Sequence, residues 1–362
     1  MKAVSAPILA WAVLAAVLPL SLRAAEDTKP TAAKRTILVM PLAYYTPETR
    51  LAGGIGGILA YRPASEGKQP RPTSIQFSAV ITQNDQFTLQ MKPEIYLGRE
   101  DWVLTGSLEW SRFPNEFFGL GNETLEAAGE LITPRQLLAE FQVQRRLFPG
   151  RQIYAGLMGV IENYRFLAFA PEGPLASGDI LGSQGGTLAG LGIIAKTDDR
   201  DNVFVPRRGR FWQISAVFFG GDYRFSRFKA DLRSYLPFAA SAVLGFQMKL
   251  EAVSGDVPFM AMPKMGGDSL MRGYLTGRYR DRVFAGFQAE ARLPLSGRFS
   301  AVAFAGLGQV AGRLGALSAA GFKPSVGGGL RCRVSSEGNT IRIDFGLGRG
   351  SSGFYVTANE AF

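Results

Sequence analysis

Apolar and polar residues alternate with a period of two over many segments of the chain, and charged side chains occupy several of the polar positions. In a β-strand, neighbouring side chains point to opposite faces of the sheet, so this alternation predicts strands with one apolar face and one charged face. The clearest examples are the segments 87–92, 137–144, 228–233, 246–251, 287–293 and 341–345.

Two all-β architectures fit alternating strands. A soluble sandwich packs its apolar face inward, whereas an outer-membrane barrel turns its apolar face to lipid and its polar face to an aqueous lumen. The alternating segments extend over about ten to fourteen residues. Strands of soluble proteins usually have about five or six residues, whereas the longer segments are suited to a tilted crossing of a bilayer. The pattern therefore predicts an all-β protein, a transmembrane antiparallel β-barrel.

The chain offers about sixteen such segments, at roughly 21 residues for each strand and its connection. An even number of strands places both chain ends on one side of the membrane, and most connections on that side are short, as periplasmic turns are. The predicted strands are 35–44, 50–62, 72–83, 86–98, 101–112, 134–147, 152–166, 184–196, 209–220, 224–237, 240–254, 282–294, 297–311, 323–335, 339–349 and 353–362. Long connections predicted to be external are 113–133, 167–183, 255–281 and 312–322, and the longer ones predicted on the periplasmic side are 63–71 and 197–208.

The N-terminal residues have the features of a secretory leader. Lys2 precedes the apolar run 8–18, which ends at Pro19 and is followed by small residues. The run is too short to cross a bilayer as a helix, and a positive start, a short apolar core and a small-residue cleavage site describe a signal peptide. We predict a signal peptide over 1–24 and a single outer-membrane barrel over 25–362; a retained membrane anchor is the alternative.

Composition excludes several chemistries. Charged residues make up 19% of the chain and mean hydropathy is +0.06, which fits neither a disordered chain nor a helical membrane protein. Histidine is absent and there is 1 cysteine, which excludes imidazole catalysis, an internal disulfide and thiolate metal sites. No cofactor and no metal are therefore predicted. The net charge of +10 is spread singly along the strands, so nucleic acid is not a predicted partner.

The C-terminus predicts a closing strand. Phe354, Val356, Ala358 and Phe362 share one parity of the predicted strand 353–362, so Phe362 is expected on the lipid face at the membrane interface, with the nearby acidic residue at the rim. The short first strand and this ending predict a weak seam between the first and last strands.

Three stretches resemble the BamA/TamA-type barrels of the bacterial surface antigen superfamily. The similarity to the family's Arg-Gly-Phe/Tyr signature is strongest, because it falls between the eleventh and twelfth predicted strands, in the sixth external loop. The stretches are GGDSLMRGY over 266–274 with GRYRD over 277–281, DDRDN over 198–202 with Pro206 and Gly209, and FFGLGN over 117–122.

The resemblance implies an integral outer-membrane barrel with a role in membrane assembly or translocation. It also implies that the sixth loop folds into the lumen, where the arginine of the motif pairs with acidic groups on the wall. That expectation applies to Arg272, Gly273 and Tyr274. A glycine allows a tight turn, and an arginine offers a forked donor suited to carboxylates.

The sequence departs from the family where many members carry an acidic residue, because Ala305 stands at that position. Glu290 and Asp344 lie on the lumenal parity of their predicted strands and are the candidate partners of Arg272. The short stretch between the predicted cleavage site and the first strand has no room for the family's periplasmic domains. The expected partners are outer-membrane lipid and client or accessory periplasmic proteins; the residues indicate no oligomeric state.

Two other functions compete with this role. A passive pore or a structural outer-membrane barrel without a client is the alternative to the assembly or translocation role. An outer-membrane hydrolase is disfavoured because the chain lacks histidine and shows no lysine-based serine motif, so no enzymatic activity is predicted.

Overall fold

The structure, a computed structural model, describes residues 33–64, 72–98, 100–239, 241–334 and 339–362. The predicted leader 1–24 lies outside the described residues. Among the described residues, no helix has the length and apolar character needed to cross a membrane. The helices found there are single 3-10 turns at Glu126–Ala128, Phe259–Ala261, Leu314–Ala316 and Ala319–Gly321.

Within the described residues, sixteen long strands form one antiparallel sheet in which each strand pairs with its neighbours in the chain, and the first strand also pairs with the last. The predicted transmembrane β-barrel is thereby confirmed. The strands are β1 Lys34–Thr46, β2 Arg50–Arg62, β3 Thr73–Thr82, β4 Phe87–Leu97, β5 Trp102–Arg112, β6 Glu130–Arg146, β7 Ile153–Ala168, β8 Gly186–Asp198, β9 Gly209–Gly221, β10 Phe225–Phe238, β11 Ala242–Gly255, β12 Val283–Pro294, β13 Phe299–Ala311, β14 Lys323–Arg333, β15 Thr340–Gly348 and β16 Ser351–Ala358.

The two faces of the sheet differ as the alternation predicts. On β9, Phe218 is 72% exposed whereas its neighbour Phe219 is 5% exposed. Large apolar side chains such as Leu191 and Leu157 are likewise exposed on the outer face, and polar side chains such as Gln247 and Glu290 are buried on the inner face. The barrel therefore presents an apolar surface to lipid and keeps its charges inside.

Three shorter strands lie in the connections between barrel strands. Asn115–Phe117 pairs with the beginning of β6. Lys264–Met265 pairs with Tyr279–Arg280 inside the connection between β11 and β12, here called segment 256–282. These additional pairings give the external connections a regular structure that the predicted strand list did not include.

Two strand boundaries differ from the prediction by four residues. β6 begins at Glu130 rather than 134, because the short strand Asn115–Phe117 supplies partners for its first residues. β16 ends at Ala358 rather than at the last residue, because Asn359 has a φ of +63°, a left-handed conformation that interrupts an extended strand.

Phe362 does not lie on the lipid face at the end of the closing strand, and that expectation is wrong. The side chain is 5% exposed and clusters with Tyr235 and Val243. These residues occupy buried positions on β10 and β11. The turn at Asn359 redirects the last residues inward, so outward parity holds for Phe354 and Ala358 but not for Phe362.

The junction between β1 and β16 is the least extensive in the sheet. β1 pairs with β2 from Lys34 to Thr46. Its pairing with β16 among the described residues consists of Tyr45 with Val356. The ring of Tyr45 lies 5.9 Å from that of Phe354, an aromatic contact that adds to this junction.

Candidate functional site

Glycines bring the backbone of segment 256–282 against β15. Gly273 has a φ of +105°, and a β-carbon there would lie 2.7 Å from the backbone nitrogen of Gly348. A β-carbon on Gly346 would lie 2.7 Å from the backbone carbon of Arg272. Only glycine combines this dihedral angle with so close an approach, so these residues fix where the neighbouring Arg272 side chain is placed.

The guanidinium of Arg272 is fully buried and contacts both carboxylates named from strand parity. Its Nη1 lies 2.6 Å from Oδ2 of Asp344, and its Nη2 lies 2.7 Å from Oε2 of Glu290. Nη2 also lies 3.4 Å from Oε1 of Gln288, and the Cζ atom lies 3.4 Å from the ring centroid of Phe304. One planar cation thus joins β12, β13 and β15.

Two further arginines extend this contact along the wall. Arg331 Nη1 lies 2.6 Å from Oδ1 of Asp344, and its Nε lies 2.8 Å from Oε2 of Glu360. Arg342 Nη2 lies 2.9 Å from Oδ2 of Asp268, and its Nε lies 3.7 Å from Oδ2 of Asp344. Asp344 therefore faces three guanidinium groups.

Arg292 connects this group of charges to the periplasmic end of the barrel. Its Nε lies 2.9 Å from Oε1 of Glu290 and 3.8 Å from Oε2 of Glu360. Its Nη2 donates to the backbone oxygen of Phe362 at 3.0 Å, and its Nη1 donates to that of Pro206 at 3.4 Å. The C-terminal residue and the turn between β8 and β9 are thus held by the same side chain.

We call these eight charged residues the arginine cluster. A buried ion without a partner costs several kcal/mol, and a charge-balanced set with short hydrogen bonds offsets much of that cost. Every guanidinium of the cluster meets at least one carboxylate. The members are the cations Arg272, Arg292, Arg331 and Arg342 and the anions Asp268, Glu290, Asp344 and Glu360.

Hydrogen bonds also fix the two residues that follow Arg272. The backbone N–H of Gly273 donates to the hydroxyl oxygen of Tyr355 at 2.9 Å. The hydroxyl of Tyr274 donates to the backbone oxygen of Pro324 at 2.8 Å and accepts from the N–H of Arg349 at 2.7 Å. The whole Arg-Gly-Tyr tripeptide is therefore bonded to strands near the end of the barrel sequence.

Apolar packing supports the same placement. Residues of segment 256–282 form a buried cluster with side chains of β12 and β13. Burial of such groups stabilises by about 1.5–3 kcal/mol for each large side chain. The cluster contains Met265, Leu270, Met271, Tyr274, Tyr279, Phe284 and Val310.

The departure at Ala305 has a structural explanation. Ala305 is exposed and lies on the outer face of β13, so an acidic residue there would not reach Arg272. Phe304, on the inner face, instead covers the guanidinium. The prediction did not assign Arg331 or Glu360 to this site. Arg331 occupies an inner-face position of β14, which the alternation of that strand indicates from the sequence. The position of Glu360 depends on the turn at Asn359, which the alternation does not indicate.

An ion pair and hydrogen bonds between its own residues hold the turn between β8 and β9, which indicates a structural role for this turn. Arg200 pairs with Asp198, with Nε 2.8 Å from Oδ1. Asp201 Oδ1 accepts backbone N–H groups from Asn202 at 3.0 Å and from Arg207 at 3.0 Å. These contacts involve no group aimed at a ligand.

The closed barrel, its apolar outer surface and its buried charges define a β-barrel membrane protein of the outer membrane. Residues 173–362, more than half of the chain, match the model described as the Omp85 superfamily domain. The chain belongs to the Omp85 superfamily. Barrels of this superfamily lie in the outer membrane of Gram-negative bacteria, which confirms the predicted location and the predicted family resemblance.

Solved structures show the same fold. BamA from Haemophilus ducreyi lacking POTRA domains 1–3 is similar with a TM-score of 0.59 and 11% identity over 90% of this chain and 70% of that one. CdiB from Acinetobacter baumannii is similar with a TM-score of 0.57 and 13% identity over 91% of this chain and 60% of that one. The chain thus spans less than two thirds of CdiB. Among curated proteins, no sequence matches the chain.

Proposed function

We propose that this barrel assists the assembly of polypeptides in the outer membrane or their translocation across it, without an enzymatic step. The observation that carries the proposal is the short junction between β1 and β16, which consists of the pair Tyr45 and Val356 among the described residues. From Lys34 to Tyr44, β1 pairs with β2 alone among the residues that the structure describes.

An open strand edge inside a membrane is costly, because its backbone N–H and C=O groups have no water to bond. Such an edge accepts another strand readily, and main-chain hydrogen bonds then supply the binding energy. Ile37 and Val39 on this part of β1 are 75% and 57% exposed. We infer that an extended client segment adds to β1 at this edge, and accessory periplasmic proteins that deliver the client are compatible with this geometry.

We further propose that segment 256–282 folds back into the lumen and blocks it. Arg272, bonded to Glu290 and Asp344, supports this, as do the contacts of Gly273 and Tyr274 with Tyr355 and Pro324. A sixteen-stranded ring without such a segment leaves an aqueous channel. A blocked lumen directs a client to the seam rather than through an open pore.

A disulfide across the seam tests the proposed function. The variant carries Tyr45→Cys and Val356→Cys with Cys332→Ser, reconstituted in liposomes with an unfolded outer-membrane protein as client. We expect the barrel with a free seam to accelerate insertion of the client, the oxidised seam to abolish that acceleration, and reductant to restore it. Insertion is followed by the electrophoretic heat shift of the client.

The matched control places a disulfide between two strands that pair over eleven successive residues. Phe218→Cys and Ser226→Cys join β9 to β10 at paired positions, and this disulfide is expected to leave client insertion unchanged. Full activity of the oxidised seam variant, or no acceleration by the reduced barrel, would contradict the proposed function.

A further inference from the structure

The short ladder within segment 256–282 places two cations directly opposite each other. Lys264 pairs in register with Arg280. Like charges at directly opposed positions of an antiparallel pair destabilise it. A ladder of two residues per strand has few hydrogen bonds with which to offset that repulsion, so this juxtaposition calls for a compensating charge.

Neither cation has a carboxylate within ion-pair distance in the part of the chain that the structure describes. Arg280 is 4% exposed and donates from Nη1 to the backbone oxygen of Phe259 at 3.0 Å, while its Nε is buried without a hydrogen-bond partner. Burial lowers the pKa of Arg280 to about 10, so the guanidinium is still charged at neutral pH.

Both side chains line one cavity of about 110 Å³ between segment 256–282 and strands β5 to β7. Its wall also contains the hydroxyl-bearing residues Ser111 and Tyr164 and the amide of Gln136. Glu109 is on the wall as well, and its carboxylate accepts from Gln90 at 3.0 Å and from Ser111 at 3.4 Å. A cavity of this volume has room for an ion of a few non-hydrogen atoms, such as phosphate.

We propose that this cavity binds a small oxyanion of the phosphate or sulfate type between Lys264 and Arg280. The anion neutralises two cations that otherwise repel each other. It accepts from the guanidinium of Arg280, which lines the cavity and presents its donors in a geometry matched to such oxygens. Its place inside the barrel and the neighbouring Arg280 lower the pKa of Lys264 to about 7, and the bound anion favours the ammonium form of this side chain.

Titration with inorganic phosphate tests the site in the full chain, purified in detergent in phosphate-free buffer and followed by calorimetry. We expect saturable binding of one phosphate per chain, with competition by sulfate. Lys264→Gln is expected to weaken binding at least about tenfold, because it removes a charge-assisted hydrogen bond. Lys264 is exposed, so Lys264→Gln is expected to keep the fold. Arg280 is buried, and Arg280→Gln is therefore not used as the test.

The control variant is Lys249→Gln, which removes a lysine of β11 that does not line the cavity. It is expected to leave phosphate affinity unchanged. Equal weakening by Lys264→Gln and Lys249→Gln would show binding through net charge alone and would overturn the proposal. The absence of saturable phosphate binding to the unmodified chain would overturn it as well. Competition by glycerol phosphate as strong as by sulfate would assign the site to phosphate groups of larger solutes, and weaker competition would assign it to free oxyanions.

Discussion

Replacing Arg272 with alanine is expected to destabilise the barrel by about 3 kcal/mol, the lower end of the range for breaking a buried ion pair. The variant leaves Asp344 and Glu290 without the cation that bridges them. The lower end applies because Arg331 still faces Asp344 and Arg292 still faces Glu290. The measurement is the free energy of unfolding in denaturant for the barrel in lipid, together with protease resistance of segment 256–282.

Two further variants test whether the loss of the ion pairs of Arg272 causes this destabilisation. Arg272→Lys keeps the positive charge but offers one ammonium where the guanidinium bonds to two carboxylates. Its free energy of unfolding is therefore expected to lie between those of Arg272→Ala and the unmodified chain. Arg210→Ala removes an exposed partner of Asp199 and is expected to change stability by less than about 1 kcal/mol. Equal stability of Arg272→Ala and Arg210→Ala would count against a central role for Arg272.

Removing residues 262–280 in favour of a short glycine-serine linker is expected to convert a blocked barrel into a steadily conducting one. The deletion takes away Arg272 and Asp268 together, so the remaining cluster retains three arginines and three carboxylates and stays balanced. A ring of sixteen strands then encloses an open aqueous path. Conductance across a planar bilayer measures the change.

The same linker placed at residues 313–320 is the control. That external connection is exposed, and its removal is expected to leave the barrel blocked. A steady open current from the unmodified chain would favour a passive pore over the proposed blocked lumen. A deletion variant that folds and stays non-conducting would show that segment 256–282 is not the block.

The barrel could be predicted because its strands obey one rule throughout. Each strand turns alternate residues to lipid, so the period of two is visible in segments such as β10 and β12. Both faces are under strong constraint, since lipid excludes charges and the inner face collects them. The boundaries of a strand are harder to predict where its pairing extends outside the barrel, as it does between Asn115–Phe117 and the beginning of β6.

Part of the site followed from parity as well. Glu290 and Asp344 stand on the inner face of their strands, and any inner-face carboxylate near Arg272 is a candidate partner. Parity did not distinguish among the arginines that share these carboxylates, because that depends on register across β12, β14 and β15. Glu360 could not be placed, since the positive φ of Asn359 is a single-residue feature that no periodic pattern encodes.

A crosslink between segment 256–282 and the inner wall tests whether this segment fills the lumen. A β-carbon at Gly308 would lie 2.8 Å from the Sδ of Met271. Cysteines at these two positions, with Cys332→Ser, are treated with a short thiol crosslinker in outer membranes, and the linked peptides are read by mass spectrometry. Leu307 is the adjacent residue on the outer face, 48% exposed, and its cysteine variant with Met271→Cys is the control. We expect a crosslink from 271 to 308 and none from 271 to 307. No crosslink to 308, or equal crosslinking to both, would contradict a lumen filled by this segment.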